Sequence, residues 1–191
     1  MKKYMKVMFG TTSHAGGFEY KINETNVAET WNPSADNPKD SGGFNFSTED
    51  KIFRWLLRGD TLYDVEIPRD AEIIECGSLS TPHGVFRSNK IILSNPRKLD
   101  DSIVMQLYLK SDLPTNTYFQ CLTFLSLRNY KEVCNKIIKD KVNKENIEQA
   151  INTFTTFFNL EEKDRNKNEL YNTVLNSLLE IKREKRSMIL E

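Results

Sequence analysis

The fold is decided by residues 42–93, which read GGFNFSTEDKIFRWLLRGDTLYDVEIPRDAEIIECGSLSTPHGVFRSNKIIL. Residues 44–46 place an asparagine between two phenylalanines, an alternation that predicts a short, half-buried strand. Ser47 then precedes a run of apolar residues at helical spacing, and Asp50 follows three positions later, which predicts a capped helix. The buried face of this helix would consist of Ile52, Phe53, Leu56 and Leu57.

The rest of this stretch predicts strands. Residues 61–67 alternate between β-formers and polar side chains, which indicates a strand with one buried and one mostly wet face. Pro68 ends it, because proline cannot continue the hydrogen bonding inside a sheet. Residues 71–76 and 85–93 predict two further strands, and the Gly, Ser, Thr and Pro residues between them indicate a loop.

The chain before this stretch adds strands and connections. Residues 4–9 predict the first strand, and residues 18–22 alternate as a second strand would. Residues 23–31 are compatible with a short helix or a loop. Residues 32–43 contain two prolines and a glycine pair, which predicts an exposed connection.

Helical periodicity replaces the strand patterns after residue 101. Five helices are predicted, with a break at Pro114. Their apolar positions are Ile103, Val104, Leu107, Tyr108, Tyr118, Cys121, Leu122, Leu125, Val133, Ile137, Ile138, Val142, Ile147, Ala150, Ile151, Phe154, Phe157, Phe158, Leu170, Val174, Leu175, Leu178 and Ile181. We therefore predict an α+β protein: a mostly antiparallel sheet with one or two helices in residues 1–96, then a helical domain in residues 97–191. One continuous domain is the alternative.

Composition excludes some classes of function. The 191 residues carry 27 basic and 27 acidic side chains, so nucleic acid is not expected as the sole partner. The three cysteines form no CxxC pair and indicate reduced core thiols in an intracellular protein. No stretch reaches the roughly 20 apolar residues that a membrane span needs. We expect a cytoplasmic protein without a membrane partner, and the oligomeric state stays open.

One loop has the composition of a ligand site. Gly10, Thr11, Thr12, Ser13 and His14 follow the first predicted strand. Backbone N–H groups and hydroxyls in such a loop can bind an anion or a ribose. The loop lacks the lysine of a P-loop and the GxGxxG spacing of a dinucleotide fingerprint. A simple turn between strands is the alternative interpretation.

No catalytic or metal motif is present. The two histidines lie in loop-like segments, and no regular spacing of soft ligands predicts a zinc site. The G-x-S-x-G pattern of a nucleophile elbow does not occur. We therefore assign no catalytic residue, no metal and no cofactor.

A longer pattern resembles a known family. It runs FGTTS, GGFEYKI, WNP, GGFNFSTEDKIFRWLLRGDTLYDVEIPRDAEII and VFRSNKIILSNPRKLDD. It is similar to uncharacterised small proteins of low-GC Gram-positive bacteria and their phages and mobile elements. A shorter version, with DVxIPxDA and KIIL, is similar to the N-terminal segment of giant-virus ankyrin-repeat proteins. The resemblance covers roughly residues 6–145.

A second resemblance concerns the order of the elements. A strand ending in GTTS, then GGFNFS, a helix and YDVEIP resembles the order in ADP-ribosyltransferases. This resemblance implies NAD or another nucleotide bound between residues 10–14 and residues 44–46. It also implies a late glutamate, a place for which Glu66, Glu72 and Glu75 stay open. The hypothesis predicts an open cleft between the two segments.

The first resemblance implies a different function. It favours a non-enzymatic module, associated with phages or mobile elements, that binds another protein and inhibits a host defence or nuclease protein. The expected contact residues form an exposed apolar surface on the helical half. They are Tyr118, Phe157, Met188, Ile189 and Leu190. The nucleotide-binding reading is kept as the alternative.

Overall fold

The computed structural model describes residues 2–13, 17–35, 40–77, 83–158 and 168–187. The chain divides into two compact units. The sheet unit comprises Met1–Leu99 and Gln106–Leu113, and the helical unit comprises Asp100–Met105 and Pro114–Glu191. The α+β fold class is confirmed, with the strands in the N-terminal half and most of the helix in the C-terminal half.

Seven strands of the described residues form one sheet in the order β2-β7-β4-β1-β3-β6-β5. All of its paired strands are antiparallel. The strands are β1 (Tyr4–Met8), β2 (Thr25–Val27), β3 (Phe44–Thr48), β4 (Thr61–Glu66), β5 (Ile73–Glu75), β6 (Val85–Ser88) and β7 (Lys90–Lys98). β1 is therefore central, with β4 on one side and β3 on the other.

Apolar and aromatic side chains from several strands pack into one core cluster in the sheet unit. Alternation along each strand places these side chains on the same face. Tyr4 illustrates the packing, since its ring meets those of Phe46 and Phe86 edge-on at 5.2 and 5.3 Å. The buried members are Met8, Tyr20, Phe44, Phe46, Tyr63, Val65, Phe86, Ile91 and Leu93.

The predicted helix after residue 47 has a different start and a different type. Ser47 and Thr48 belong to β3, and the helix is a 3-10 helix over Ile52–Arg58. The predicted cap is wrong because the Ser47 hydroxyl donates to the Gly84 carbonyl (2.8 Å), and the Thr48 N–H donates to the same oxygen (2.8 Å). The predicted buried face is confirmed at Ile52, Phe53 and Leu56.

Two other predictions are corrected in the sheet. Residues 85–93 contain two strands, since the chain turns at Asn89 between β6 and β7. Strand β7 continues through Pro96 to Lys98, past the boundary predicted at residue 96. Its pairing with β4 shifts register between Leu62 and Asp64. Asn95 there has a positive φ of 51°, and such an irregularity is where a strand tolerates proline.

Residues 18–31 also differ from the prediction. Residues 18–22 form isolated bridges, Thr12 with Glu19 and Ile22 with Leu93, instead of a strand. Residues 23–31 contain strand β2 instead of a helix. The buried Asn26 explains this: its side chain accepts from the Lys21 N–H (2.8 Å) and donates to the Lys21 carbonyl (2.9 Å). These bonds hold an extended segment against β7 without local periodicity.

The helices are α1 (Asp101–Lys110), α2 (Thr115–Leu127), α3 (Lys131–Lys141), α4 (Ile147–Thr156) and α5 (Glu169–Ser187). Within the helical unit, α2 packs against α3, α4 and α5. The rings of Phe154 and Tyr171 stack at 4.5 Å between centroids, and the Thr123 hydroxyl donates to the Phe154 carbonyl (2.9 Å). Asn168 caps α5 by accepting from the Tyr171 N–H (2.8 Å).

Gly59 is a point of close approach in the sheet unit. A Cβ at this position would lie 2.2 Å from the Met8 carbonyl carbon. We expect Gly59→Ala to lower the free energy of unfolding by about 3 kcal/mol, because backbone must move to admit the methyl group. Gly17 is the matched control: it has a positive φ but open space around it, so Gly17→Ala should cost only about 1 kcal/mol. Equal losses in urea unfolding would contradict this account.

A second pair of variants tests the helical unit. Phe154 is fully buried, whereas Phe157 is half-buried. We expect Phe154→Ala to cost about 3–5 kcal/mol, because it removes a packed ring and leaves a cavity. Phe157→Ala should cost clearly less. Urea unfolding followed by far-UV circular dichroism measures both, and a smaller loss for Phe154→Ala would contradict the packing described above.

Candidate functional site

The two central strands of the sheet part after a short stretch of pairing. β1 and β3 share only the Cα partners Tyr4↔Thr48 and Met5↔Ser47. β1 nevertheless continues to Met8, fully paired with β4, and β3 begins as early as Phe44, fully paired with β6. A cleft of about 750 Å³ lies beside the separated ends, lined by residues of both strands. Its size falls in the range of small-molecule sites.

The separation leaves a backbone carbonyl turned toward β1. The Thr48 N–H bonds to β6 at Gly84, and since bonding sides alternate along a strand, Ser47 and Asn45 direct their peptide groups toward β1. The β1 backbone is paired with Ser47 but not with Asn45. The Lys6 Nζ instead donates to the Asn45 carbonyl at 2.6 Å. A lysine side chain thus bridges the gap between the strands.

Aromatic rings form one wall of the cleft. Phe18, Tyr20 and Phe44 meet with ring centroids 4.9–5.2 Å apart. The Lys6 Nζ lies 5.3 Å from the centroid of the Tyr20 ring, within cation–π distance. Burial raises the pKa of the Tyr20 hydroxyl, and its hydrogen bond with Ser13 opposes this rise. Tyr20 is therefore a neutral phenol at physiological pH.

The cleft is basic. Lys6, Arg58 and Arg87 line it, and Glu29 is the acidic side chain among the described lining residues. Within the described part of the chain, no carboxylate lies within ion-pair distance of Lys6 or Arg87. The Arg87 Nη1 donates to the Gly42 carbonyl at 2.7 Å. Both half-buried cations are thus held by neutral carbonyl groups.

The protonation of Lys6 reflects this environment. Burial and, as the smaller cause, the positive charge of Arg87 together lower the pKa of the Lys6 amine to about 8. An ordinary lysine titrates near 10.5. Desolvation and a like charge both disfavour the ammonium form. Lys6 therefore exists partly as a neutral amine near physiological pH, which is the form in which an amine is nucleophilic.

Two glycines allow the backbone to close one side of the cleft. Gly42 and Gly43 have positive φ angles of 66° and 69°. A Cβ on Gly43 would lie 2.7 Å from the Trp31 ring, and one on Gly42 would lie 2.3 Å from the Thr30 carbonyl oxygen. The Gly43 N–H donates to that same oxygen at 2.9 Å. The glycine pair therefore carries the Gly42 carbonyl to the place where it accepts from Arg87.

Cys76 also lines the cleft and is half-buried. Burial raises the pKa of its thiol, and the nearby Arg87 guanidinium opposes this rise. The net direction is upward, so Cys76 is a protonated thiol and a poor nucleophile at neutral pH. The core-thiol prediction is confirmed at Cys121 and Cys134, which are buried and form no disulfide bond.

The predicted ligand loop contributes little to the cleft. Ser13 lines it. The Gly10 carbonyl accepts from the Tyr63 hydroxyl (2.8 Å), and the Thr11 carbonyl accepts from the Tyr20 N–H (2.8 Å). Thr12 bridges to Phe9 and Glu19. These contacts form a hairpin that positions Tyr20 without turning Gly10, Thr11 or Thr12 into the cleft, and His14 lies outside the described residues.

The cleft does lie beside β3, where the nucleotide-binding hypothesis expects one. Its lining includes Ser13 and residues 44–46. None of the three candidate glutamates lines it. Glu72 accepts from the Trp31 indole (2.6 Å), Glu75 accepts from the Gly84 N–H (2.7 Å), and Glu66 is exposed at the end of β4.

The predicted partner surface is corrected at one residue. Tyr118 is 2% exposed, and the Lys141 Nζ lies over its ring at 4.6 Å. The prediction that Tyr118 is exposed is wrong, because α2 buries nine of its residues and Tyr118 is one of them. Phe157 is half-buried against Phe158, with ring centroids 4.8 Å apart. Met188, Ile189 and Leu190 lie outside the described residues.

Sequence reasoning missed Lys6, Tyr20 and Arg87. The strand YMKVM does carry a signal, since Tyr4, Lys6 and Met8 share one face by alternation. A lysine flanked on its face by an aromatic and a methionine is unusual for a buried central strand. Nothing in the sequence shows that β3 parts from β1 at that point.

Comparison of the chain with models of protein families, with curated proteins and with solved structures finds no match. Across the described ranges, no helix has both the length and the apolar character to cross a membrane. In the same ranges no three His, Cys, Asp or Glu side chains group as metal ligands would.

The lowered pKa of Lys6 makes stability depend on pH. Between pH 8 and 10.5 the unfolded chain binds a proton at Lys6 that the folded protein has released, so this group makes stability rise with pH. We compare the free energy of unfolding of the wild type with that of Lys6→Met. We expect this difference to grow in favour of the wild type by on the order of 2 kcal/mol from pH 7 to pH 10, less than the full pKa shift would give, because Lys6 is partly solvated. Tyr20 titrates above this window.

Urea unfolding at pH 7 and pH 10 measures this gain. Lys6→Arg is the matched control, since an arginine keeps its charge at both pH values. The free energy of unfolding of the wild type should rise relative to Lys6→Arg by a similar amount. If the stability difference between the wild type and each variant is the same at pH 7 and at pH 10, the placement of Lys6 is contradicted.

Proposed function

We propose that the sheet unit binds a small ligand that joins a flat, apolar ring to an anionic group. The observation that carries this proposal is the pair of half-buried cations, Lys6 and Arg87, in a cleft with aromatic walls and no ion-paired carboxylate within the described residues. Charges in apolar surroundings are costly unless an opposite charge is present. An anionic ligand supplies that charge.

The geometry of the cleft divides the ligand into two parts. Arg87 has five N–H donors in a planar fork, which suits a carboxylate or a phosphate. Phe18, Tyr20 and Phe44 offer apolar surface for a ring. Aromatic carboxylates and nucleotides both have this build. Nucleotides, which the sequence analysis suggested as an alternative, are therefore kept within the proposal as one ligand class.

The protein-interaction function stays a prediction. Of its five contact residues, Tyr118 is buried and Phe157 is half-buried. Inhibition of a host defence or nuclease protein would require a partner surface that these two residues do not provide. The cleft is the better supported site because its charge and shape both select a ligand.

Thermal-shift titration at low ionic strength tests the proposal with phenylacetate, AMP, ADP-ribose and NAD. A ligand at about a hundred times its Kd adds roughly 2.7 kcal/mol of stability. We expect at least one probe to raise the melting temperature, and Arg87→Met to weaken its binding about tenfold or more, because a charged hydrogen bond is lost.

Arg69→Met is the matched control, since Arg69 is exposed and does not line the cleft. It should bind as the wild type does. Rising salt should weaken binding in the wild type, because the attraction is electrostatic. The absence of any shift with all four probes would overturn the proposal.

A further inference from the structure

The Lys6 amine is placed as a nucleophile as well as a cation. Its Nζ is bound to one backbone carbonyl, lies over the Tyr20 ring, and faces a cleft with apolar walls. A lysine with a purely structural role on a strand is commonly paired with a carboxylate. Lys6 is half-buried and has no carboxylate partner among the described residues, and the cleft gives a small molecule access to it.

We propose that Lys6 forms a reversible imine with the carbonyl carbon of an oxo acid, whose carboxylate is held by Arg87. This inference rests on the proposed function, because the same cleft and the same cation bind the ligand. It adds a reaction at one atom, the Lys6 Nζ. The substrate class is an oxo acid with an apolar or aromatic side chain.

Both functional groups of an oxo acid have a counterpart in the cleft. The carboxylate suits the planar fork of Arg87, which uses one N–H for the Gly42 carbonyl and retains other donors. The carbonyl carbon suits an uncharged amine. Lys6 meets this requirement, since burial and Arg87 hold its pKa at about 8 and leave about a tenth of the amine neutral at pH 7.

The step balances without a further reagent. The lone pair on Nζ attacks the carbonyl carbon, and the carbonyl oxygen takes up a proton to give a carbinolamine. The oxygen then leaves as water, whose two hydrogens correspond to the two lost from the amine, and a C=N bond replaces the C=O bond. Hydrolysis reverses the step, and neither formation nor hydrolysis changes the oxidation state of any atom.

The surroundings of Lys6 favour the product. Desolvation and a neighbouring cation are the two ways in which proteins activate an amine for imine formation, and Lys6 has both. Uptake of one proton from solvent at the imine nitrogen gives an iminium ion, whose positive charge lies where the Tyr20 ring and the Asn45 carbonyl already face a cation. The bound carboxylate offsets the charge of Arg87.

Reductive trapping tests the inference on the full chain. Phenylpyruvate is added with sodium cyanoborohydride, which reduces an iminium to a stable secondary amine. Intact mass spectrometry and peptide mapping then locate the adduct. We expect one adduct per chain on Lys6, with a rate that rises with pH around a midpoint near 8 instead of 10.5.

Variants separate the roles of the two cations. Lys6→Met and Lys6→Arg should both lose the specific adduct, and circular dichroism verifies that each variant folds. Lys6→Arg retains the positive charge, so it provides the test if Lys6→Met does not fold. Arg87→Met should slow trapping at least tenfold. Arg69→Met should leave it unchanged.

Phenylacetate separates this inference from the proposed function, because it has the ring and the carboxylate but no ketone. If phenylacetate binds and phenylpyruvate gives no Lys6 adduct, imine formation is overturned and ligand binding stands. If phenylpyruvate gives no Lys6 adduct and none of phenylacetate, AMP, ADP-ribose and NAD binds, both proposals fail. Adducts spread over exposed lysines such as Lys98, at the same rate in Lys6→Arg, would also overturn the inference.

Discussion

The separation of β1 from β3 is the constraint on which the site depends. A continuous ladder between these strands would satisfy the Asn45 carbonyl with a backbone N–H and leave no room for a ligand. Because the strands part after two Cα pairs, the Asn45 carbonyl needs a donor other than the β1 backbone. The Lys6 amine supplies that donor at 2.6 Å. The Lys6 amine, which takes the place of the missing backbone donor, is therefore also a cation that lines the cleft.

The charge of the cleft follows from how the acidic side chains of the sheet unit are used. Asp64 pairs with Arg97, Asp60 with Lys98, Asp70 with Lys90, and Glu49 with Lys110. None of these pairs lines the cleft, and the most exposed of them, Asp60 with Lys98, contributes little to stability because both members are solvated. The carboxylates of these pairs do not line the cleft and so do not neutralise Lys6 or Arg87. A chain with no net charge thus contains a positively charged cleft.

Much of the fold followed from local patterns. A run of β-forming residues predicted β1. Alternation predicted β3 and β4, and helical periodicity predicted the helices of the C-terminal half, since both patterns reflect burial on one face. The failures occurred where a distant partner decides the conformation. Ser47 has the local features of a helix cap, but its hydroxyl and backbone are bound to β6 and β1. The site was not predictable for the same reason. Lys6 and Arg87 lie 81 positions apart in the sequence, and they reach one cleft only because β3 pairs with β6 and parts from β1.

The binding and the reactive properties of Lys6 have one physical cause. If Lys6 were paired with a carboxylate, its pKa would rise and its charge would be neutralised within the protein. An anionic ligand would then not be attracted to it, and the protonated amine would not attack a carbonyl carbon. Holding the amine with a neutral carbonyl keeps it in place while its charge stays uncompensated. Arg87 is held in the same way by the Gly42 carbonyl. A guanidinium cannot lose its proton, so of the two cations only the lysine relieves their repulsion by becoming neutral. Arg87 is thereby fixed as the anion-binding group and Lys6 as the group able to react.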